Sequence, residues 1–169
     1  RDTGKPWHSA NFRTLADWLK TPELPPRVAG GTFKPGSFSR SKSNVKDAPY
    51  IVIESDELIG HKPTTDEERE QNKALSYGLF FYCQERLGLT PRAVIDTGGK
   101  SLHLWFDRPS ESSLQTLLNF AEPLRIDKSL LSSCQSAPLR MPRTRHEKTG
   151  KRAALLFINP KIRKNYYAA

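Results

Sequence analysis

The sequence predicts an α+β fold in which strands and helices follow the order β-α-β-β-α-β from residue 50, an RRM-like or split βαβ unit. Three observations predict it. A β-rich apolar run at Tyr50–Ile53 precedes a long helical pattern, two alternating runs are joined by a Gly-Gly turn, and a second helical pattern leads to a last apolar run. Residues 1–49 form a smaller N-terminal α/β extension to this unit, and the 169 residues read as one domain.

In the extension, Ser9 caps a short helix with Phe12, Leu15, Ala16 and Leu19 at helical spacing, stopped by Thr21-Pro22. The Pro, Gly, Ser and Lys-rich stretch from Glu23 to Ala48 reads as loop, with a short strand near Thr32–Phe33. The long helix opens with a capping box, Thr65 with Glu68, carries Leu75, Leu79, Tyr82 and Cys83 on one face, and ends at Gly88. Ala93-Val94-Ile95 and the alternating Leu102, Leu104 and Phe106 form a hairpin through Thr97-Gly98-Gly99-Lys100. Ser110 caps the second helix, with Leu114, Leu117, Leu118 and Ala121 inward and Pro123 at its end. Ala153 to Ile158 reads as the last strand, and in the RRM-like arrangement the first and third strands occupy the sheet centre. Residues 123–150 interrupt the pattern before it.

Charge narrows the partner. Lys and Arg number 27 against 18 Asp and Glu, a net charge of +9, which favours a polyanion such as nucleic acid or nucleotides. The excess is uneven, because an acidic centre, residues 51–124, lies between basic ends. A surface that only holds phosphate has no use for those acids, whereas a metal site beside a phosphate chain needs both signs. Cys83 and Cys134 have no metal-ligand spacing, so they read as reduced and structural, and no zinc site is expected. No apolar run is long enough to span a membrane and no signal peptide is visible, which makes a cytoplasmic setting the default. The chain opens at Arg1 without Met, as a piece of something longer would.

The chemistry concentrates in three places. Strand alternation puts Glu54 and Asp56 on one face while Ile51 and Ile53 face the core. Two carboxylates in one volume repel unless a cation lies between them, so the pair is a candidate divalent-metal site, against the plainer alternative of a strand end running into solvated acids. On the hairpin's second strand Ser101 and His103 share the face opposite Leu102, Leu104 and Phe106, next to glycines whose amides can approach a phosphate. The third place is the interrupting segment. Asp127 offers a third carboxylate, and Arg140, Arg143, Arg145, His146 and Lys148 make a basic run suited to a triphosphate or a template strand.

Taken in order, Ile53-Glu54-Ser55-Asp56, Gly98-Gly99-Lys100-Ser101-Leu102-His103 and Ile126-Asp127 resemble the three motifs of the archaeo-eukaryotic primase superfamily. The likeness continues through Arg140-Met141-Pro142, His146 and Lys148-Thr149-Gly150, and spans roughly residues 50–158, with residues 1–49 matching only the family's variable N-terminal unit. Two positions depart from the pattern: Glu54 stands where Asp is commoner, and Arg143 where a small residue often follows the Pro.

The resemblance implies a primase-like fold and a primase-polymerase, a DNA-directed nucleotidyltransferase that joins (d)NTPs on a single-stranded DNA template. By the same likeness Glu54, Asp56 and Asp127 would hold two Mg²⁺ or Mn²⁺ ions. Ser101 and His103 would contact the triphosphate, Arg140, His146 and Lys148 would complete its cage, and Lys100 would face phosphate. With no helicase segment or zinc knuckle, template opening would fall to a helicase domain or protein, as in replication proteins of plasmids, phages and other mobile elements. Two other readings compete. A non-catalytic RRM-like module for single-stranded nucleic acid would want exposed aromatics where this face has acids and only Trp105, and a nuclease would need a Tyr or His-pair site that the sequence does not offer.

Overall fold

The computed structural model describes residues 25–37 and 39–161, with Thr14, Ala16, Asp17 and Lys20 ahead of them. Most of the expected Ser9-capped helix, and the closing Tyr166-Tyr167, lie outside the described residues.

Eight strands and three α-helices are described, in the order β1 (Arg27–Val28), β2 (Thr32–Phe33), β3 (Val45–Asp47), β4 (Tyr50–Ile53), α1 (Asp66–Glu85), β5 (Pro91–Asp96), β6 (Leu102–Asp107), α2 (Glu111–Asn119), α3 (Lys128–Ser133), β7 (Leu139–Arg140) and β8 (Ala154–Ile158). The main sheet is antiparallel throughout and runs β4-β6-β5-β8, while β1 pairs with β7 and β2 with β3.

That order corrects one expectation. In the RRM-like sheet the first strand is central; here β4 is an edge, the central pair is β6 and β5, and the last strand lies beside β5. The pairing of β4 with β6 survives, and it is this pairing that aligns the acid pair with the hairpin. In its register Val52 opposes Trp105 and Ile53 opposes Leu104, so the strand's continuation brings Glu54 level with His103.

β-Branched residues fill β4, as a pleated and buried strand favours. α1 begins at the capping box the sequence signals: Thr65 Oγ1 accepts from the Glu68 N–H at 3.2 Å, and Glu68 accepts in return from the Thr65 N–H at 3.2 Å. Asp66, Glu67 and Glu68 fall in its first turn, where the helix dipole favours anions. The buried face of α1 is Asn72, Lys73, Ser76, Leu79, Phe80 and Cys83, so Leu79 and Cys83 face inward as expected while Leu75 and Tyr82 are exposed. Gly88, at φ +63°, ends the turn beyond it.

Phe80 joins helix to sheet, its ring 5.5 Å from Phe106 and 5.8 Å from Phe157. Ile51, Ile53, Leu102, Leu104, Leu114, Leu117 and Leu131 complete one core. Each such side chain contributes roughly 1.5–3 kcal/mol when buried, so this layer fixes where β4 and β6 end. Both cysteines are buried and free, and burial pushes the Cys83 thiol up to about 12, as structural thiols require. Among the described residues no helix is long and apolar enough to cross a membrane.

Candidate functional site

The strand ends of β4 and β6 meet at Glu54. Its two carboxylate oxygens are engaged separately: the Ser101 hydroxyl donates to Oε1, and His103 Nε2 stands 3.5 Å from Oε2. Burial pushes the Glu54 carboxyl up, but the His103 ring, the Ser101 hydroxyl and the Lys100 charge outweigh it and hold the group below the ordinary carboxylate range. Glu54 is therefore an anion at neutral pH. His103 itself is buried, with Nδ1 lacking a partner, so it meets the acid from inside the sheet instead of from solvent.

Asp56 lies past the end of β4, in the loop, and is half exposed. Lys100 Nζ reaches its Oδ2 at 3.4 Å, which ties the first acidic motif to the Gly-Gly turn a second time. Asp127 arrives by a different route. Its backbone N–H donates to the Glu54 carbonyl at 2.8 Å, which sets the two backbones side by side, but its carboxylate caps α3 by accepting from the Leu130 N–H at 3.0 Å. The cap is legible in principle, since an Asp before a short apolar helical stretch is a common start signal.

Asp and Glu carboxylates are the oxygen donors that Mg²⁺ and Mn²⁺ take, so the donor chemistry suits a divalent ion. The geometry does not. Each of the three acids already accepts from a protein donor, and among the described residues no group of three His, Cys, Asp or Glu side chains is placed to hold a metal ion. As folded here, the arrangement does not fit a bound ion, and the expected two-metal ligand set is not assembled.

Across the Gly98-Gly99 turn lies the basic cluster. Gly98 sits at φ +73°, and a Cβ there would come 2.9 Å from the Lys151 carbonyl oxygen; one at Gly99 would come 2.9 Å from His146 Nε2. At Gly98, where the close atom belongs to the backbone, only glycine admits so close an approach. Thr149 Oγ1 donates to the Gly98 carbonyl at 2.6 Å and completes the contact between turn and basic segment.

Arg140, on β7, is buried, and its NH1 donates to the Arg145 carbonyl at 2.9 Å. Opposite it in the antiparallel pair stands Arg27 of β1, whose NH2 contacts Glu147 Oε1 at 2.9 Å. Two guanidinium groups directly across a ladder repel, and Glu147 is the acid among them, so the pair is poised for an additional anion. Burial and Arg27 push Arg140 down from its usual range; burial and Arg140 push His146 down likewise, which keeps the imidazole neutral at pH 7. Lys148 is exposed and joins this cluster through its N–H, 3.3 Å from His146 Nδ1.

The structure thus gathers Glu54, Asp56, Lys100, Ser101 and His103 into one contact network, brings Asp127 to it by backbone, and gathers Arg140, His146 and Lys148 on the other side of the turn. Two residues were missed. Arg27 belongs to a two-residue strand with no periodic signal, and Asn72 is a polar position inside the buried stripe of α1. Arg143 adopts φ +70°, a left-handed conformation uncommon for a residue other than glycine.

No protein-family model matches the chain, and no curated protein sequence matches it. Its fold is similar to the AEP domain of the cyanophage S-2L primase-polymerase, with a TM-score of 0.50 and 20% sequence identity over 89% of this chain and 72% of that one. At that identity the likeness is one of fold.

Proposed function

We propose that this chain is a primase-polymerase catalytic domain, which transfers nucleotides from (d)NTPs to a growing strand on a single-stranded DNA template. The observation that carries the reading is the Glu54–Ser101–His103 contact, in which two of the three motifs meet at the ends of paired strands, with Asp127 one backbone hydrogen bond away. Nucleotidyl transfer needs an acceptor for the proton of the attacking 3′-hydroxyl and positive charge where pyrophosphate leaves. The Gly98-Gly99 turn lies between two such regions.

In this reading Glu54, Asp56 and Asp127 are the catalytic carboxylates, Ser101 and His103 hold the nucleotide's phosphates beside them, and Lys100, Arg140, His146 and Lys148 neutralise the departing end. Arg27 joins that last group. The exposed Arg143, Arg145 and Arg152 supply the sequence-independent grip on template phosphates. A helicase domain or protein would open the duplex, and replication of a plasmid, phage or other mobile element is the setting this compact core suits.

The test is incorporation of labelled nucleotides on a single-stranded template with added Mg²⁺ or Mn²⁺. Wild-type protein is expected to extend the strand. Asp56→Ala and Asp127→Ala should each reduce incorporation by at least about a thousandfold while leaving the circular dichroism unchanged. Full activity in either variant would remove that residue from the site. The absence of an assembled three-acid ligand set among the described residues favours a second reading, a non-catalytic module for single-stranded nucleic acid. Template binding without any incorporation would select it.

A further inference from the structure

Asn72 is fully buried on α1, yet its carboxamide is used completely by two loops distant in sequence. Nδ2 donates to the Ser55 carbonyl at 2.9 Å and to the Lys100 carbonyl at 3.0 Å, and Oδ1 accepts from the Leu58 N–H at 2.7 Å. Ser55 is the residue between Glu54 and Asp56, and Lys100 immediately precedes Ser101. One side chain therefore spans the backbones of the acid motif and of the Gly-Gly turn, at the point where neither belongs to a strand any longer.

The demand for such a clamp follows from the geometry. β4 stops at Ile53 and β6 starts at Leu102, so the ladder that aligns Glu54 with His103 gives no support to residues 55–58 or 97–101. A buried carbonyl left unpaired there costs free energy, and water cannot easily serve two of them at a fully buried position. An amide is the side chain that supplies two donors and an acceptor from one planar group.

Resting on the proposed reading of this site, we infer that Asn72 is a positioning residue for nucleotidyl transfer, holding the Glu54–Asp56 loop and the Lys100–Ser101 turn in register so that the acids face the phosphate-binding groups. It touches no substrate. Its effect passes through the two backbones, and a misplacement on the order of 1 Å at such a site lowers turnover about a hundredfold.

The experiment compares Asn72→Asp with Ser76→Ala. The aspartate keeps the shape and the acceptor for Leu58 but loses both donated bonds. Ser76, buried one turn along the same helix, donates to the Asn72 carbonyl at 2.9 Å and reaches neither loop, so its variant removes a buried hydrogen bond without touching the clamp. At a temperature where both variants are folded by circular dichroism, Asn72→Asp should lose about a hundredfold in kcat/KM for nucleotide while its affinity for single-stranded DNA stays within about twofold of wild type. Ser76→Ala should keep wild-type kinetics. Equal kinetic losses in the two variants, or near wild-type kinetics in Asn72→Asp, would overturn the inference.

Hydrogen exchange supplies a readout independent of catalysis, and of whether Asn72→Asp reaches full stability, when Asn72→Ser is run beside it. Amides in residues 55–58 and 97–101 should exchange faster in both Asn72 variants, while those of β6 are unchanged. Unaltered exchange in those loops would overturn the clamp itself. Should the wild-type protein bind template yet incorporate nothing, the catalytic reading fails, and with it the positioning role, even where exchange shows the clamp intact.

Discussion

The two sides of the Gly98-Gly99 turn are built in different ways. On the acidic side, Glu54 and His103 sit where the β4–β6 ladder ends, anchored by fully buried Ile53, Leu102 and Leu104 and clamped by Asn72. On the basic side, Arg27 and Arg140 occupy strands of two residues each, and His146 is held by backbone contacts to Lys151 and Gly150. The contrast teaches which chemistry needs which support. Carboxylates that must meet one atom need fixed positions, whereas a cluster that neutralises a polyanion acts through charge over several ångströms and tolerates a looser frame.

The sharpest way to break the contrast is at the turn itself. Gly98→Ala forces a Cβ to within 2.9 Å of the Lys151 carbonyl oxygen at a left-handed φ, where only backbone movement can relieve it. A loss of about 2–4 kcal/mol in urea denaturation is expected. If the variant were as stable as wild type, the two sides would not be joined in the way described.

A smaller effect is expected on the basic side alone. Arg27→Ala should raise the nucleotide KM about tenfold with kcat within about twofold, the pattern of a residue that binds the substrate and its transition state alike. A fall in kcat with KM unchanged would move Arg27 from neutralising charge to shaping the site.

The smallest concerns pH. His146 has its pKa pushed below 6.5 by burial and by Arg140, so the unfolded chain takes up that proton before the folded one does. Its contribution is therefore fully present above pH 6.5 and is lost as pH falls through the lower, folded value. Thermal melting of wild type against His146→Gln should show wild type losing ground as pH is lowered from 7.5 to about 5.5. Added tripolyphosphate should reduce that loss, because an anion favours the imidazolium.

The same contrast explains what was legible in the sequence. The apolar run of β4, the apolar alternation of β6, the Gly-Gly turn and the Thr65–Glu68 capping box are local signals, and all appear where they were expected. The order of motifs led to Glu54, Ser101 and His103 as neighbours because strand pairing follows from a hairpin and one further strand. The position of β8 beside β5 was not readable, since any antiparallel edge accepts an apolar run equally well. Nor was the fate of Asp127's carboxylate, which caps α3. Arg27 and Asn72 were hidden for opposite reasons: one lies in a strand too short to carry a pattern, the other in a pattern where a polar residue looks like an interruption.

The reach of Arg27 sets the true extent of the working unit. Gly30 and Gly31 donate their N–H groups to the Cys134 and Gln135 carbonyls, each at 3.0 Å, and the Met141 N–H donates to the Pro26 carbonyl at 3.0 Å. A minimal version of this protein trimmed to start at Tyr50 would retain every recognisable motif, yet it would strip Arg140 of its strand partner and bare the backbone of the segment that carries it. Motif boundaries and architectural boundaries differ here by more than twenty residues, and dissection of the domain should follow the latter.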